Sequence, residues 1–348
     1  MKRVAAILIL VLACTLAFAG GQADKAEEKA VSGSQPAALQ IAIIGPITIE
    51  EPWNTALVQS LERVKAAKPH GLKIEYDFHE RIDFPDGERV LSELARTGKY
   101  GMLVAHSAYS DAVEKLHQKW PDICWVYTGG GNKPIGGNAY WIDVAVHEPS
   151  YMFGVLSGMM TKSNFIGSVG SYPVPNENSA LNAYMAGVKA VNPKAKVKVM
   201  FIESWFDPAK AKESALAQIS AGADFIYAIS FGVFEACKEK NVRAFGFNVD
   251  QNSLAPNVVV SSSVMRWDPT LNYVIDEWWK HTANGAAYSA PLKAVMFPMK
   301  DGGAEFASYH TLEGSIPQKV KDAVEKTQKD IMSGKLVVPY SEELPVSD

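Results

Sequence analysis

"VKVMFIESWFDPAKAKESALAQISAGADFIYAIS", Val197–Ser230, is the stretch whose pattern decides the fold. An apolar run opens it and a second, "DFIYAIS", closes it, each short enough for a buried strand. Between them Asp207 is placed to cap a helix and Pro208 fits the first helical position. Ala211, Ala215, Leu216 and Ile219 make one apolar stripe, and Gly222 ends it. The unit therefore reads strand–helix–strand. That puts Trp205 and Phe206 at the carboxyl end of the first strand, the edge where open parallel sheets bind ligands.

The same rhythm fills the chain on both sides. "LQIAIIG" precedes a helical stretch at Trp53–Ala67, "LKIEYDFH" one at Glu88–Thr97, and "YGMLVAH" one at Asp111–Trp120, before "ICWVYTG". After "NAYWIDVAVHE" and a Gly- and Met-rich helix at Tyr151–Met160, the alternation restarts. "FIGSVGSY" leads to Ser179–Val191, the opening unit follows with its helix at Ala209–Ala221, then come Phe234–Lys240, "VRAFGFNVD" and "NVVVSSSV". Two series of similar length predict two α/β lobes, each with a parallel sheet between helices. A long amphipathic helix at Pro269–Thr282, the segment "LKAVMFPMKDGG" and a helix at Pro317–Met332 follow, so the chain is expected to cross between lobes more than once. The expected division is 39–146 plus 266–290 for the first lobe and 147–265 plus 291–348 for the second. Gly154 and Gly158 are spaced to let a neighbouring helix approach.

The 348 residues are 47% hydrophobic and 21% charged with a formal net charge of −4. Such a chain has no excess of base to neutralise phosphates, which argues against nucleic-acid binding. Lys2 and Arg3 ahead of an apolar run at Val4–Ala19 read as a signal peptide over residues 1–19, so the protein is expected to be exported. Cleavage after Ala17-Phe18-Ala19 would free a soluble protein. Cleavage before Cys14 in "VLAC", which looks like a lipobox, would leave a lipid anchor on that cysteine. Residues 20–38, small, polar and charged, are expected to form a flexible leader. Cys124 and Cys237 remain, as two buried thiols or as a disulfide.

The other strand exits carry the same signal as Trp205 and Phe206. They deliver Trp53 and Asn54; His106, Ser107 and Tyr109; Tyr172 and Asn176; Ser230 and Phe231; and Asn248, Asp250 and Gln251. Aromatic faces beside a few fixed polar groups suit a planar, polar small molecule. A purine or nucleoside meets that description, and so does a sugar, which stacks its apolar face and offers hydroxyls to Asp and Asn.

Motifs for chemistry are missing. There is no G-x-S-x-G, H-E-x-x-H, Walker A or G-x-G-x-x-G, and "TGGGNKPIGG" reads as a turn. The seven histidines show no metal-ligand spacing. No cofactor or metal is expected. His106 is expected as a donor to ligand or as a structural residue rather than a general base, and Glu148 as the acidic start of a crossover helix. The competing reading is an exported hydrolase or lyase acting on nucleosides or sugars.

"GPITIEEPWN", "AHSAYSDAVEKLHQKWPD", "MTKSNFIGSVGSYPVPN", "YMAGVKAVNP", "SWFDPAKAKESALAQISAGAD" and "VDQNSLAPNVVVSSSVMRW", in that order, resemble the BMP (basic membrane protein) family of ABC-transporter substrate-binding proteins. The resemblance implies a type I periplasmic-binding-protein fold: two Rossmann-like lobes, three crossovers and a ligand cleft. It also implies a monomeric receptor in the periplasm or on the outer face of the cytoplasmic membrane, delivering a purine base or nucleoside to a permease. On that pattern Trp53 and one of Trp205 or Phe206 sandwich the base, and Tyr109 and Tyr172 line the pocket. Asn54, Ser107 and Asn176 address ring edges, and Asp250 accepts from ribose hydroxyls or ring nitrogens. Lys300 and Asp301 fall at a cleft or hinge motif. Glu50, Glu51 and Pro52 depart from the small residues that family members commonly carry before the first aromatic.

Overall fold

The computed structural model describes residues 35–348. The expected signal peptide, Cys14 and the leader as far as residue 34 lie outside the described residues. In chain order the first elements are β1 (Ala38–Ile44), α1 (Pro52–Ala67), β2 (Lys73–His79), α2 (Gly87–Arg96), β3 (Met102–Ala105), α3 (Ser110–Leu116), β4 (Cys124–Thr128) and β5 (Ala139–Val144). α4 (His147–Met160) leads into the second series: β6 (Phe165–Gly170), α5 (Pro175–Val191), β7 (Lys196–Phe201), α6 (Pro208–Ser220), β8 (Phe225–Ala228), α7 (Val233–Lys240), β9 (Arg243–Asn248) and β10 (Val259–Met265). The tail adds α8 (Asp268–Asn284), β11 (Val295–Phe297), β12 (Ala304–Phe306) and α9 (Gln318–Met332).

Two six-stranded sheets result, ordered β2-β1-β3-β4-β5-β11 and β7-β6-β8-β9-β10-β12. Every pairing is parallel except β10 with β12. Each sheet starts in its middle and winds both ways, so each has a switch point, between β1 and β3 and between β6 and β8. At such a point adjacent connections leave on opposite faces and open a crevice at the strands' carboxyl ends. The central strands, such as β3 and β4, are buried along their whole length, as helices on both sides require. Along β1, Ile41 and Ile43 enter the core that runs through α4, α5 and α8. Ala42 and Ile44 turn instead to the layer under α2 and α3.

The chain passes between the lobes three times: through α4, between β10 and α8, and between β11 and β12. The expected boundary at 290 moves, because β11 pairs with β5 and extends the first sheet to Phe297. The leader boundary moves as well, since β1 already includes Ala38. Two polar clasps hold the crossings together. Glu148, in the first turn of α4, accepts from the Met299 N–H at 2.5 Å and so joins the first crossing to the third. Arg63 of α1 grips Asp268 at the second with two bonds of 2.6 and 2.8 Å.

Helix contacts in the second lobe follow from small residues. A Cβ on Gly154 would stand 2.1 Å from the Tyr184 carbonyl oxygen, and one on Gly187 2.1 Å from that of Tyr151, so α4 and α5 touch backbone to backbone. Cys124 and Cys237 are buried, free, and placed in different lobes.

Candidate functional site

A cavity of about 110 Å³ lies between the lobes, at the carboxyl ends of both sheets. The first lobe contributes Ile47, Glu51 and Trp53 after β1, Ser107 and Ala108 after β3, and Thr128 to Gly131 at the end of β4. From the second come Ser171, Asn176 and Glu177 after β6, Trp205 after β7, Ile229 after β8, and Phe247 and Asn248 ending β9. Both switch points therefore open onto one space.

Trp53 begins α1, whose N-cap Glu51 accepts from the Trp53 N–H at 2.8 Å. His106 stacks on one face of the indole, with centroids 5.0 Å apart and 15° between planes, and Trp267 meets it edge-on at 5.3 Å. His106 is fully buried, and burial pushes its imidazole down to about 3. A neutral ring has one N–H, and the Trp53 carbonyl can only accept, so Nε2 donates there at 3.4 Å and Nδ1 accepts from the Thr128 hydroxyl at 2.8 Å. His106 thus supports the stacking ring from beneath and does not reach the cavity.

Asn54 also turns inward. Its amide donates to the Ile47 and Thr48 carbonyls at 3.1 and 2.8 Å and fixes the loop after β1. Ser107 lines the cavity, but Tyr109 does not: its ring packs on Gly87 inside the first lobe and its hydroxyl donates to the Ile82 carbonyl.

In the second lobe, Asp207 caps α6 as expected, accepting from the Lys210 N–H at 3.0 Å. The turn it fixes sends two neighbouring aromatics different ways. Trp205 faces the cavity and is backed by Tyr172, with ring centroids 4.7 Å apart, while Phe206 is 58% exposed and stacks on Phe231 outside the cavity. Ser230 is buried beside Ser171, with hydroxyls 3.0 Å apart, and braces the loop after β6. Asn176 lines the cavity. Asp250 is exposed, pairs with His310 at 2.6 Å and does not line this cavity. Asp301 and Lys300 are exposed on the turn of the third crossing, outside the cavity.

The sequence reading missed several groups. Glu177 is buried in the first turn of α5, where its Oε2 accepts from the Ser171 N–H at 2.8 Å. Burial raises its carboxyl to about 8, with a further push from Glu51, and burial raises Glu51 to about 7. Asn248, buried at φ 72°, leaves its side-chain oxygen with no partner. Asn132 donates to the Ser107, Thr128 and Gly129 carbonyls and sets the glycine loop. Gly130 of that loop lies so near the start of α5 that an added Cβ would be 3.0 Å from the Pro175 Cβ. The lobes meet there. The chain signalled Asn248 by its place at a strand end and the loop by its three glycines, whereas Glu51 stood out only as a departure from the family pattern and nothing marked Glu177.

Flat indole faces, an unpaired acceptor and a loop at the lobe boundary amount to a binding crevice that needs no reacting group. Comparison with known proteins agrees. The chain is 29% identical over 334 residues to a purine-binding protein of Brucella abortus, covering 94% of this chain and 88% of that one. It is 26% identical to a putative ABC transporter glucose-binding protein of Haloferax volcanii, over 76% of this chain and 65% of the other. An ABC transporter solute-binding protein from Conexibacter woesei superposes with a TM-score of 0.68 at 19% identity, over 87% of this chain and 99% of its own, and shows the fold. Residues 39–342 match the family described as ABC transporter substrate-binding protein, PnrA-like, so the chain belongs to the Bmp family and is a solute receptor of an ABC transporter, not an enzyme.

Proposed function

We propose that this receptor captures a purine base or nucleoside outside the cytoplasmic membrane, holds it between Trp53 and Trp205 by lobe closure, and presents it to a permease. The observation that carries the reading is that these two indoles, from opposite lobes, line one cavity at the two switch points. Stacking a base on an aromatic contributes about 1–3 kcal/mol and tolerates different bases, so polar groups such as Ser107, Asn176 and Asn248 set the choice. The Brucella relative's name supports the same ligand class. The Haloferax relative's name favours a sugar, which is the second reading. Export by residues 1–19, either as a free protein or anchored through Cys14, and action as a monomer belong to the proposal. Calorimetric titration with adenine, adenosine and D-glucose tests it: stoichiometric binding of a purine without turnover is expected. Binding of glucose alone, or release of free base from adenosine, would overturn it.

A further inference from the structure

The electrostatics of the cavity go further than its shape. Two carboxyl groups line it, Glu51 from the first lobe and Glu177 from the second, and among the described residues no lysine or arginine does. Helix amino termini commonly hold anions, and α1 and α5 both start at this cavity. Each of those starts already carries its own carboxyl. Glu51 caps α1 through the Trp53 N–H, and Glu177 in the first turn of α5 takes the Ser171 N–H. Two N–H donors that could hold a phosphate or an acidic ring are thereby already occupied from within. The Asn248 side-chain oxygen, buried in the lining without a partner, is a further acceptor. His106, the nearest imidazole, stays neutral behind Trp53 and offers no compensating charge.

Resting on the purine reading, we infer that the cavity selects planar bases that are uncharged or cationic and rich in N–H donors, and that it rejects anions of the same outline. Burial already holds both carboxyls above the ordinary range, and Glu51 further disfavours ionisation of Glu177. A ligand donating N–H bonds to them relieves that cost, whereas an anion brings its charge beside two groups that already resist ionisation and meets no cation in the lining.

Calorimetry at neutral pH with adenine, hypoxanthine and urate, a purine of similar outline that is anionic there, reads the difference. Adenine should bind, with urate weaker on the order of 100-fold, since like-charge juxtaposition costs several kcal/mol. Glu177→Gln, Glu51→Gln and the double variant are measured beside wild type, with thermal melts to confirm folding. The gap should narrow in each variant and most in the double one, chiefly through a gain for urate. Urate bound within tenfold of adenine by the wild-type protein, or a gap unchanged in every folded variant, overturns this inference and leaves the purine reading standing. Failure of every purine to bind removes both.

Discussion

Two neighbouring aromatics can do different work, and Trp205 and Phe206 show how. They share a strand end, yet one faces the cavity and the other stacks on Phe231 outside it. Trp205→Ala should therefore weaken purine binding roughly 5- to 150-fold, in line with the worth of one stacked base, while Phe206→Ala leaves affinity nearly unchanged. Equal losses in the two variants, measured by calorimetry, would contradict the assignment. Asp250→Ala, which removes an exposed pair with His310 and a bond accepted from the Asn252 N–H, should change affinity for adenosine no more than about twofold. The location of strand ends was legible in the chain; the direction each side chain takes there was not. Tyr109 and Trp53 stood at equivalent exits, and only packing against Gly87 decided that the tyrosine turns inward. Glu177 was illegible, and Glu51 nearly so, for a related reason: a glutamate at a helix start ordinarily reads as an exposed dipole partner.

Elements were easier to read than side chains, because periodicity and caps are local. The helix after Asp207 begins where the Asp-Pro pair places it. α4 and α5 each begin four residues before the apolar periodicity does, since proline is compatible with the first turn and both Pro149 and Pro175 sit there. β11 escaped because three residues carry no period, and its partner β5 is about 150 positions earlier in the chain. Two glycines at this scale separate folding from closure. Gly154→Ala forces a Cβ against the Tyr184 carbonyl and should lower stability by about 1–3 kcal/mol in denaturant unfolding, because neither helix backbone can yield. Gly130→Leu puts its side chain where the glycine loop meets Pro175. It should weaken ligand binding on the order of tenfold or more by holding the lobes apart, and leave unfolding of the ligand-free protein close to wild type. A Gly130→Leu protein that binds normally would mean that the lobes need not meet there.

Across the whole molecule, buried titratable groups set how stability varies with pH. Burial raises Glu177 to about 8 and Asp143 to about 7, so the folded chain keeps protons that the unfolded chain releases near the ordinary values of 4.5 and 3.8. Their contribution is complete below those lower values and is lost as pH rises through 7 and 8. Burial acts the other way on His106 and His147, held down to about 3 and about 4. Their share is present above the ordinary value of 6.5 and is lost as pH falls toward those depressed values. Melting temperature should consequently decline between about pH 6.5 and 8, and the Glu177→Gln variant should decline less over that interval. A variant that tracks wild type across it would show that Glu177 is ionised in the folded protein.

The central claim is that Trp53 and Trp205 close on a flat ligand from opposite lobes. A crystal structure of the protein saturated with adenine tests it most directly. The account predicts one purine ring between the two indoles, with its polar edge toward Glu177 and Asn248. A purine bound elsewhere, or in the cavity with either indole turned away from its face, would contradict the account.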